Sequence, residues 1–208
     1  AATAVYIATD DERIKTVAEG FGARVCMTSV EHRSGTDRLQ EVAEQLQFGD
    51  EHIVVNVQAD EPLIPPEAID QVANILAANA DAGIATLCET ISSQEQIDNP
   101  NVVKVVIDNQ GNALYFSRSA IPWQGSASAR NCFRHIGIYA YRPAALARFV
   151  ALPRGVLERR ERLEQLRALE AGMRIDVALV DTVPLGVDTA ADLDRARDLL
   201  APTQERTP

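Results

Sequence analysis

Short apolar runs alternate with segments of helical spacing along the first half of the chain, the pattern of strand–helix–strand units. Val5 to Thr9 reads as a buried strand. Thr9-Asp10-Asp11 can cap a helix from Glu12 to Glu19, which Gly20 and Gly22 end. Arg24 to Thr28 is a second short strand, and Ser29 to Arg38 a polar loop. Leu39, Val42, Ala43 and Leu46 then repeat at helical spacing. Ile53-Val54-Val55-Asn56-Val57 is rich in β-branched residues, as a strand is when both its faces are covered. It turns polar at Gln58, Asp60 and Glu61 and stops at Pro62. Pro65-Pro66-Glu67 opens the next helix.

The second half changes character. Gly83 to Glu89 is strand-like, and Asn99-Pro100-Asn101 is a turn. Val102 to Ile107 and Ala113 to Phe116, joined through Asn109 to Asn112, read as a β-hairpin. Arg118 to Arg130 is loop-like, Arg134 to Tyr141 a strand, and Pro143 the start of a short helix. The spacing predicts one charged helix from Glu158 to Ala171, ended by Gly172. A buried strand, Ile175 to Val180, and a helix, Thr189 to Leu200, complete the pattern. The whole predicts a single α/β domain over residues 1–208. Its sheet is expected to be mixed, mostly parallel and covered by helices on both faces, with the hairpin inserted.

Composition narrows the function. A chain of 208 residues suffices for one α/β core. The net charge of -10 argues against a nucleic-acid partner, which needs a basic face. Cys26, Cys88 and Cys132 are too scattered for a zinc pair or a disulfide framework, which suggests a reducing compartment. The chain shows no signal peptide and no apolar run of membrane-spanning length, so the expectation is a cytoplasmic protein with no membrane partner.

Several stretches carry candidate chemistry. In open α/β sheets ligands sit beyond the carboxyl ends of strands, which is where Asp60 falls. Asp60 suits either a cation held against a phosphate or a cap on the next helix. Asp188, in Leu185-Gly186-Val187-Asp188-Thr189, has the same two readings. Ser34-Gly35-Thr36 is either a helix cap or a loop that receives a base edge or a phosphate. In Arg134 to Tyr141, alternation puts His135, Gly137, Tyr139 and Tyr141 on one face. That face fits a sugar or carboxylate pocket, or a solvent-facing edge. Arg118 is either a partner for an anionic substrate or a surface cation. Glu164 and Gln165 by themselves read as solvated. No GxGxxG or GxxxxGK[ST] is present, so dinucleotide and P-loop sites lack their fingerprints.

Taken in order, these stretches resemble a known family. They are His32-x-Ser34-Gly35-Thr36-x-Arg38, Asn56-Val57-Gln58-x-Asp60-Glu61-Pro62, Asn99-Pro100-Asn101-x-Val103-Lys104, Tyr115-Phe116-Ser117-Arg118, Ile121-Pro122-Trp123, Arg134-His135-x-Gly137-Ile138-Tyr139, Leu163-Glu164-Gln165-Leu166-Arg167 and Gly186-Val187-Asp188-Thr189. The series is similar to that of the 3-deoxy-manno-octulosonate (Kdo) cytidylyltransferases of lipopolysaccharide synthesis. The resemblance implies a nucleotide-diphospho-sugar transferase (Rossmann-like) fold. It also implies a homodimer, with the region around residues 102–141 in the dimer contact, and the substrates CTP and Kdo. Asp60 and Asp188 match that family's Mg²⁺-binding catalytic carboxylates. Ser34, Gly35, Thr36 and Arg38 match its cytosine-side loop, and Gln58, His135, Tyr139, Glu164 and Gln165 its Kdo contacts. Arg118 is carried over as a pocket residue.

Three departures accompany the resemblance. The family's first strand and basic triphosphate loop have no counterpart here, the segment after Trp123 is short, and Ala59 stands for a usual glycine. They lead to the expectation of weak CTP binding by the chain as written. The alternatives are an inactive homologue that acts as a binding or dimerisation module, or a cytidylyltransferase for another acidic sugar.

Overall fold

The computed structural model describes residues 2–123, 132–181, 186–187 and 189–200. The elements run β1 (Tyr6–Thr9), α1 (Glu12–Gly20), β2 (Arg24–Met27), α2 (Gly35–Gln45), β3 (Val54–Asn56), α3 (Pro66–Ala78), β4 (Ile84–Thr90) and α4 (Gln94–Asp98). They continue with β5 (Lys104–Ile107), β6 (Ala113–Ser117), β7 (Phe133–Tyr141), α5 (Pro143–Ala151), α6 (Val156–Glu161), α7 (Leu166–Glu170), β8 (Ile175–Leu179) and α8 (Ala190–Leu200). The local signals act as expected at many ends. Asp11 caps α1 by accepting the Arg13 N–H at 2.7 Å. Gly22 takes the positive φ of +85° that lets the chain reverse into β2.

The larger sheet has the order β6-β5-β7-β4-β8, with β3 also paired to β7. β1 and β2 form a separate parallel pair. Helices cover both faces, as the apolar spacing requires. On one face Val72 and Leu76 of α3 pack on Ala85 and Leu87 of β4 and on Ile136, Ile138 and Ala140 of β7. On the other, Ala43 of α2, Leu146 and Phe149 of α5 and Leu166 of α7 pack with Ile84, Cys88, Tyr139, Tyr141 and Ile175. Successive residues of β4 and β7 thus feed two different cores.

The sheet is mixed, but its parallel share is smaller than the sequence suggested. Among the described residues, β4–β8 and β1–β2 are parallel. β7 runs antiparallel to β3, β4 and β5, and β5 antiparallel to β6. Alternation identified β7 as a strand but carries no information about direction. Its insertion between β3 and β4 reverses both contacts.

A second difference shapes the site. The helix expected from Glu158 to Ala171 is broken at Arg162, which adopts a left-handed conformation with φ 56° and ends α6. Leu163 to Gln165 then turn before α7 begins. The break lets two carboxylates reach different elements. Glu161 accepts from the hydroxyl of Ser117 at 2.8 Å and the N–H of Arg118 at 3.0 Å, at the hairpin's end. Glu164 accepts the hydroxyl of Thr36, in α2, at 2.6 Å. Tertiary hydrogen bonds to buried partners outweigh the local helical preference here.

Lys104 closes the base of the hairpin. Its side chain is fully buried, and its ammonium donates to the carbonyls of Asn99 (3.0 Å), Val102 (2.6 Å) and Arg118 (2.6 Å). Burial pulls its pKa down from the ordinary lysine range.

Candidate functional site

One edge of β7 is paired with β4, whose register shifts between Thr86 and Leu87. The other edge is divided. β5 takes Phe133 and Arg134, and β3 takes Tyr139 to Tyr141. A cavity of about 180 Å³ opens at this division. His135, Gly137, Tyr139 and Tyr141 of β7 line it, with Asn56 and Gln58 from the end of β3, Thr36 from α2, and Glu164 and Gln165 from the α6–α7 turn. The four β7 residues are the face that alternation picked out. A Cβ at Gly137 would meet nothing within 4 Å, so this glycine leaves that part of the cavity open.

The β7 side chains present a neutral, oriented surface. Thr86 Oγ1 donates to the carbonyls of Ile136 (3.1 Å) and Ile138 (2.8 Å). It therefore receives the Nε2–H of His135, at 3.0 Å, which leaves Nδ1 as an acceptor. Phe116 meets the His135 ring edge-on at 5.0 Å between centroids, and Tyr139 lies at 5.4 Å. Burial, assisted by the Arg134 charge, lowers the His135 pKa to about 3. Burial raises the Tyr139 and Tyr141 hydroxyls well above the ordinary tyrosine range, so both stay protonated. Tyr139 is 9% exposed, and its hydroxyl has no hydrogen-bond partner among the described residues. A buried donor in that state is open to a water or a ligand oxygen.

A pH experiment checks the histidine. With its folded pKa depressed, His135 adds stability that is fully present above its unfolded pKa of about 6.5 and lost as pH falls toward the folded value. Its imidazole NMR signals are expected to hold their neutral positions from pH 8 down to about pH 4.5. Titration near the unfolded value would place the ring in solvent.

The carboxylate side of the cavity is held by a chain of charges. Arg167, 6% exposed, donates to both Glu158 oxygens at 2.8 and 2.7 Å and to Glu164 Oε1 at 3.2 Å. Thr36 takes the other Glu164 oxygen, so α2, the α6–α7 turn and α7 meet through one carboxylate, and Arg167 extends the chain to Glu158 of α6.

Other candidate residues are placed as follows. Ser34 caps α2, its Oγ accepting the Asp37 N–H at 3.1 Å. Gly35 begins that helix with open space around it. Two candidates lie away from the cavity lining. Arg38 donates to Asp10 at 2.9 Å and to the Thr28 hydroxyl, tying α2 to the ends of β1 and β2. Arg118 donates to the carbonyls of Glu161 (2.9 Å) and Pro100 (3.1 Å), where it locks the hairpin rather than lining the pocket. Both arginines found acidic or carbonyl partners distant in sequence, which spacing does not reveal. Asn56, Arg167 and the Thr86 support of His135 were missed. The one signal for Asn56 was a polar residue inside a β-branched run.

Asp60 is exposed in the turn after β3. It does not cap α3, whose N-cap is Pro65. Its carbonyl accepts the Val187 N–H at 2.7 Å, which brings the late segment Gly186–Val187 against the end of β3. Asp188 lies outside the described residues. The capping role considered for it is filled by Thr189, whose Oγ1 accepts the Asp192 N–H at 3.2 Å. Among the described residues no three His, Cys, Asp or Glu side chains group as a metal cage. No helix among them is long and apolar enough to cross a membrane.

The cytidylyltransferase family profile matches residues 1–175. A protein of Cellvibrio japonicus named 3-deoxy-manno-octulosonate cytidylyltransferase is 55% identical over 210 residues, covering 96% of this chain and 82% of that protein. One of the same name from Nitrosococcus oceani is 50% identical over 213 residues, covering 97% and 82%. A solved CMP:2-keto-3-deoxy-manno-octonic acid synthetase complexed with CTP superposes with a TM-score of 0.90 at 40% identity, over 96% of this chain and 81% of the other. A glucose-1-phosphate thymidylyltransferase structure from Bacillus anthracis, 15% identical with a TM-score of 0.59 over 93% of this chain and 74% of the other, shares the fold.

Proposed function

Because this chain belongs to the 3-deoxy-manno-octulosonate cytidylyltransferase family, we propose that it transfers CMP from CTP to the anomeric hydroxyl of Kdo, releasing pyrophosphate. The observation that carries this reading is the cavity. It gathers Thr36, Gln58, His135, Tyr139, Glu164 and Gln165, residues from separate stretches of the chain, around one space. The lining is polar and aromatic, with acceptors at His135 and Glu164 and donors at Tyr139 and the side-chain amides, a surface for a polyhydroxylated sugar.

In this reading the sugar is fixed by its hydroxyls and the nucleotide by the first turn of α2, which packs beside the same cavity. Transfer to the α-phosphate then depends on alignment and on neutralising phosphate charge. Asp60 and Asp188 are the carboxylates assigned to Mg²⁺. The backbone hydrogen bond between Asp60 and Val187 supports their convergence, and carboxylate oxygens suit this hard cation. When bound there, Mg²⁺ offsets phosphate charge and makes the attacking hydroxyl more acidic. His135, being neutral, orients a sugar hydroxyl and adds no charge to the site. A homodimer is part of the proposal. Support comes from Leu114 on the edge strand β6, 59% exposed, and from Trp123, 91% exposed, both within the 102–141 region. The reaction is assigned to the cytoplasm.

The test is pyrophosphate release by the full-length protein with CTP and Mg²⁺, using Kdo and, separately, a sialic acid as acceptor. Release that requires Kdo is expected. Release with the sialic acid alone would redirect the reading to another acidic sugar, and none with either would leave a binding module.

A further inference from the structure

A second cavity, of about 360 Å³, adjoins the first across Glu164. Its lining is Ser34, Arg154, Glu158, Arg159, Arg162 and Glu164. Three arginines around one space are unexpected in a chain with a net charge of -10. The acids that line it offset only part of that charge. Glu158 is held on both oxygens by the buried Arg167, and Glu164 is shared between Arg167 and Thr36. Among the described residues only Arg154 reaches a carboxylate, the same Glu158, at 3.4 Å. Glu161 is engaged at the hairpin. Glu170 accepts from the N–H groups of Val156 and Leu157, at 2.9 and 3.1 Å, at the start of α6. Counting Arg167 against the two glutamates, the lining keeps an excess of two positive charges, with Asp37, Glu161 and Glu170 as the further acids around it.

The backbone adds to this. Arg162 occupies the left-handed position that ends α6, where glycine or asparagine is the usual residue. Ser34 brings in the first turn of α2, whose dipole favours negative charge, although Asp37 stands in that turn and its N–H is taken by Ser34 Oγ. Guanidinium groups present forked donors matched to phosphate oxygens, and two excess charges match a dianion better than a single carboxylate.

We propose that this arginine-lined cavity is a subsite for phosphate groups carrying at least two negative charges. It lies outside the residues assigned above to Kdo and Mg²⁺, apart from the shared Glu164 and the base-side Ser34. Two sources have the required chemistry: the nucleotide's own phosphates, or free pyrophosphate held after transfer. The subsite itself does not depend on the Kdo reading, whereas its link to the transfer reaction does.

The experiment is calorimetric titration of the full-length protein, wild type and the double variant Arg159→Gln/Arg162→Gln, with pyrophosphate and separately with CTP. EDTA is present, so that binding through a metal is excluded. Both arginines are exposed, so the variant is expected to fold, and Arg160→Gln, outside the cavity, serves as the control. Pyrophosphate affinity is expected to fall at least about tenfold in the double variant, with a shallower salt dependence, and to hold in the control. A parallel loss of CTP affinity identifies the nucleotide's phosphates as the occupant, and unchanged CTP affinity identifies free pyrophosphate. Wild type that does not bind pyrophosphate, or a double variant within twofold of it, overturns the subsite. The transfer assay on wild type is independent. Loss of pyrophosphate binding without any CMP transfer would retain the subsite and end the Kdo reading, and the converse would do the opposite.

Discussion

Replacing Asp60 by asparagine is expected to lower turnover of CTP and Kdo about a thousandfold, with little change in melting temperature. The expectation rests on what the side chain does not do. Asp60 is exposed, its carboxylate makes no hydrogen bond among the described residues, and α3 is capped elsewhere. What the fold uses is its backbone carbonyl, which receives Val187 N–H at 2.7 Å. Asparagine keeps that carbonyl and the side-chain shape, and removes only the charge. In the proposed reading, this carboxylate at the end of β3 would hold Mg²⁺ and so help offset phosphate charge. The amide cannot offset that cation's charge, so more Mg²⁺ should be needed for half-maximal rate. Pyrophosphate release at saturating substrates, over a Mg²⁺ series, measures both effects. Asp188→Asn should behave alike. Turnover within tenfold of wild type in Asp60→Asn would end its assignment as a metal ligand.

The parts of the site legible in the sequence were those governed by local periodicity. Alternation alone placed His135, Gly137, Tyr139 and Tyr141 on one face, because side chains in a strand cannot do otherwise. Asp60 was marked by its place beyond the carboxyl end of the β3 run, whereas Gln58 gained a role only from the resemblance. Glu164 and Gln165 were different. Their helical spacing argued for solvent, and only the resemblance singled them out. The structure explains the failure: the chain leaves the helix at Arg162, so the periodicity that called them solvated does not apply. Nothing local announces that break. It is stabilised by Thr36 and Ser117, which are distant in sequence.

The same limit applies to charges. Arg38 was singled out only by the resemblance, and Arg118 was read as either a partner for an anionic substrate or a surface cation. Asp10 and the Glu161 carbonyl answer them from within the fold. Arg167 was the reverse case. It stood in a quoted motif without a role, and it organises the carboxylate wall of both cavities. A cation's partner depends on tertiary proximity, and sequence spacing resolves it only within a helical turn or across a known strand pair.

Arg167→Leu is expected to destabilise the fold by about 3–5 kcal/mol near neutral pH, because it leaves Glu158 buried without its partner. Glu158 and Arg167 are each 6% exposed and joined by two hydrogen bonds of 2.8 and 2.7 Å. The Arg167 guanidinium also lies 5.0 Å from the Phe149 ring centroid, a contact leucine replaces only as apolar packing. Burial pushes the Glu158 carboxyl up, and the hydrogen bonds and charge of Arg167 outweigh it, holding the pKa below the usual carboxylate range. In wild type this pair therefore adds stability above the unfolded carboxylate pKa of about 4.3, lost as pH falls through the lower folded value. In the variant burial dominates, the folded pKa rises above the unfolded one, and the sign reverses. The gap between the two proteins should be widest near pH 7 and narrow as the solution is acidified toward the variant's raised pKa. Urea denaturation at several pH values reads it directly. A second substitution, Glu158→Leu, removes the stranded charge and should restore much of the loss. Glu164 loses the same guanidinium, so the KM for Kdo should remain raised in the double variant even where stability recovers. A gap under about 1 kcal/mol, or one that does not change with pH, would mean that the buried pair contributes no more than an exposed one.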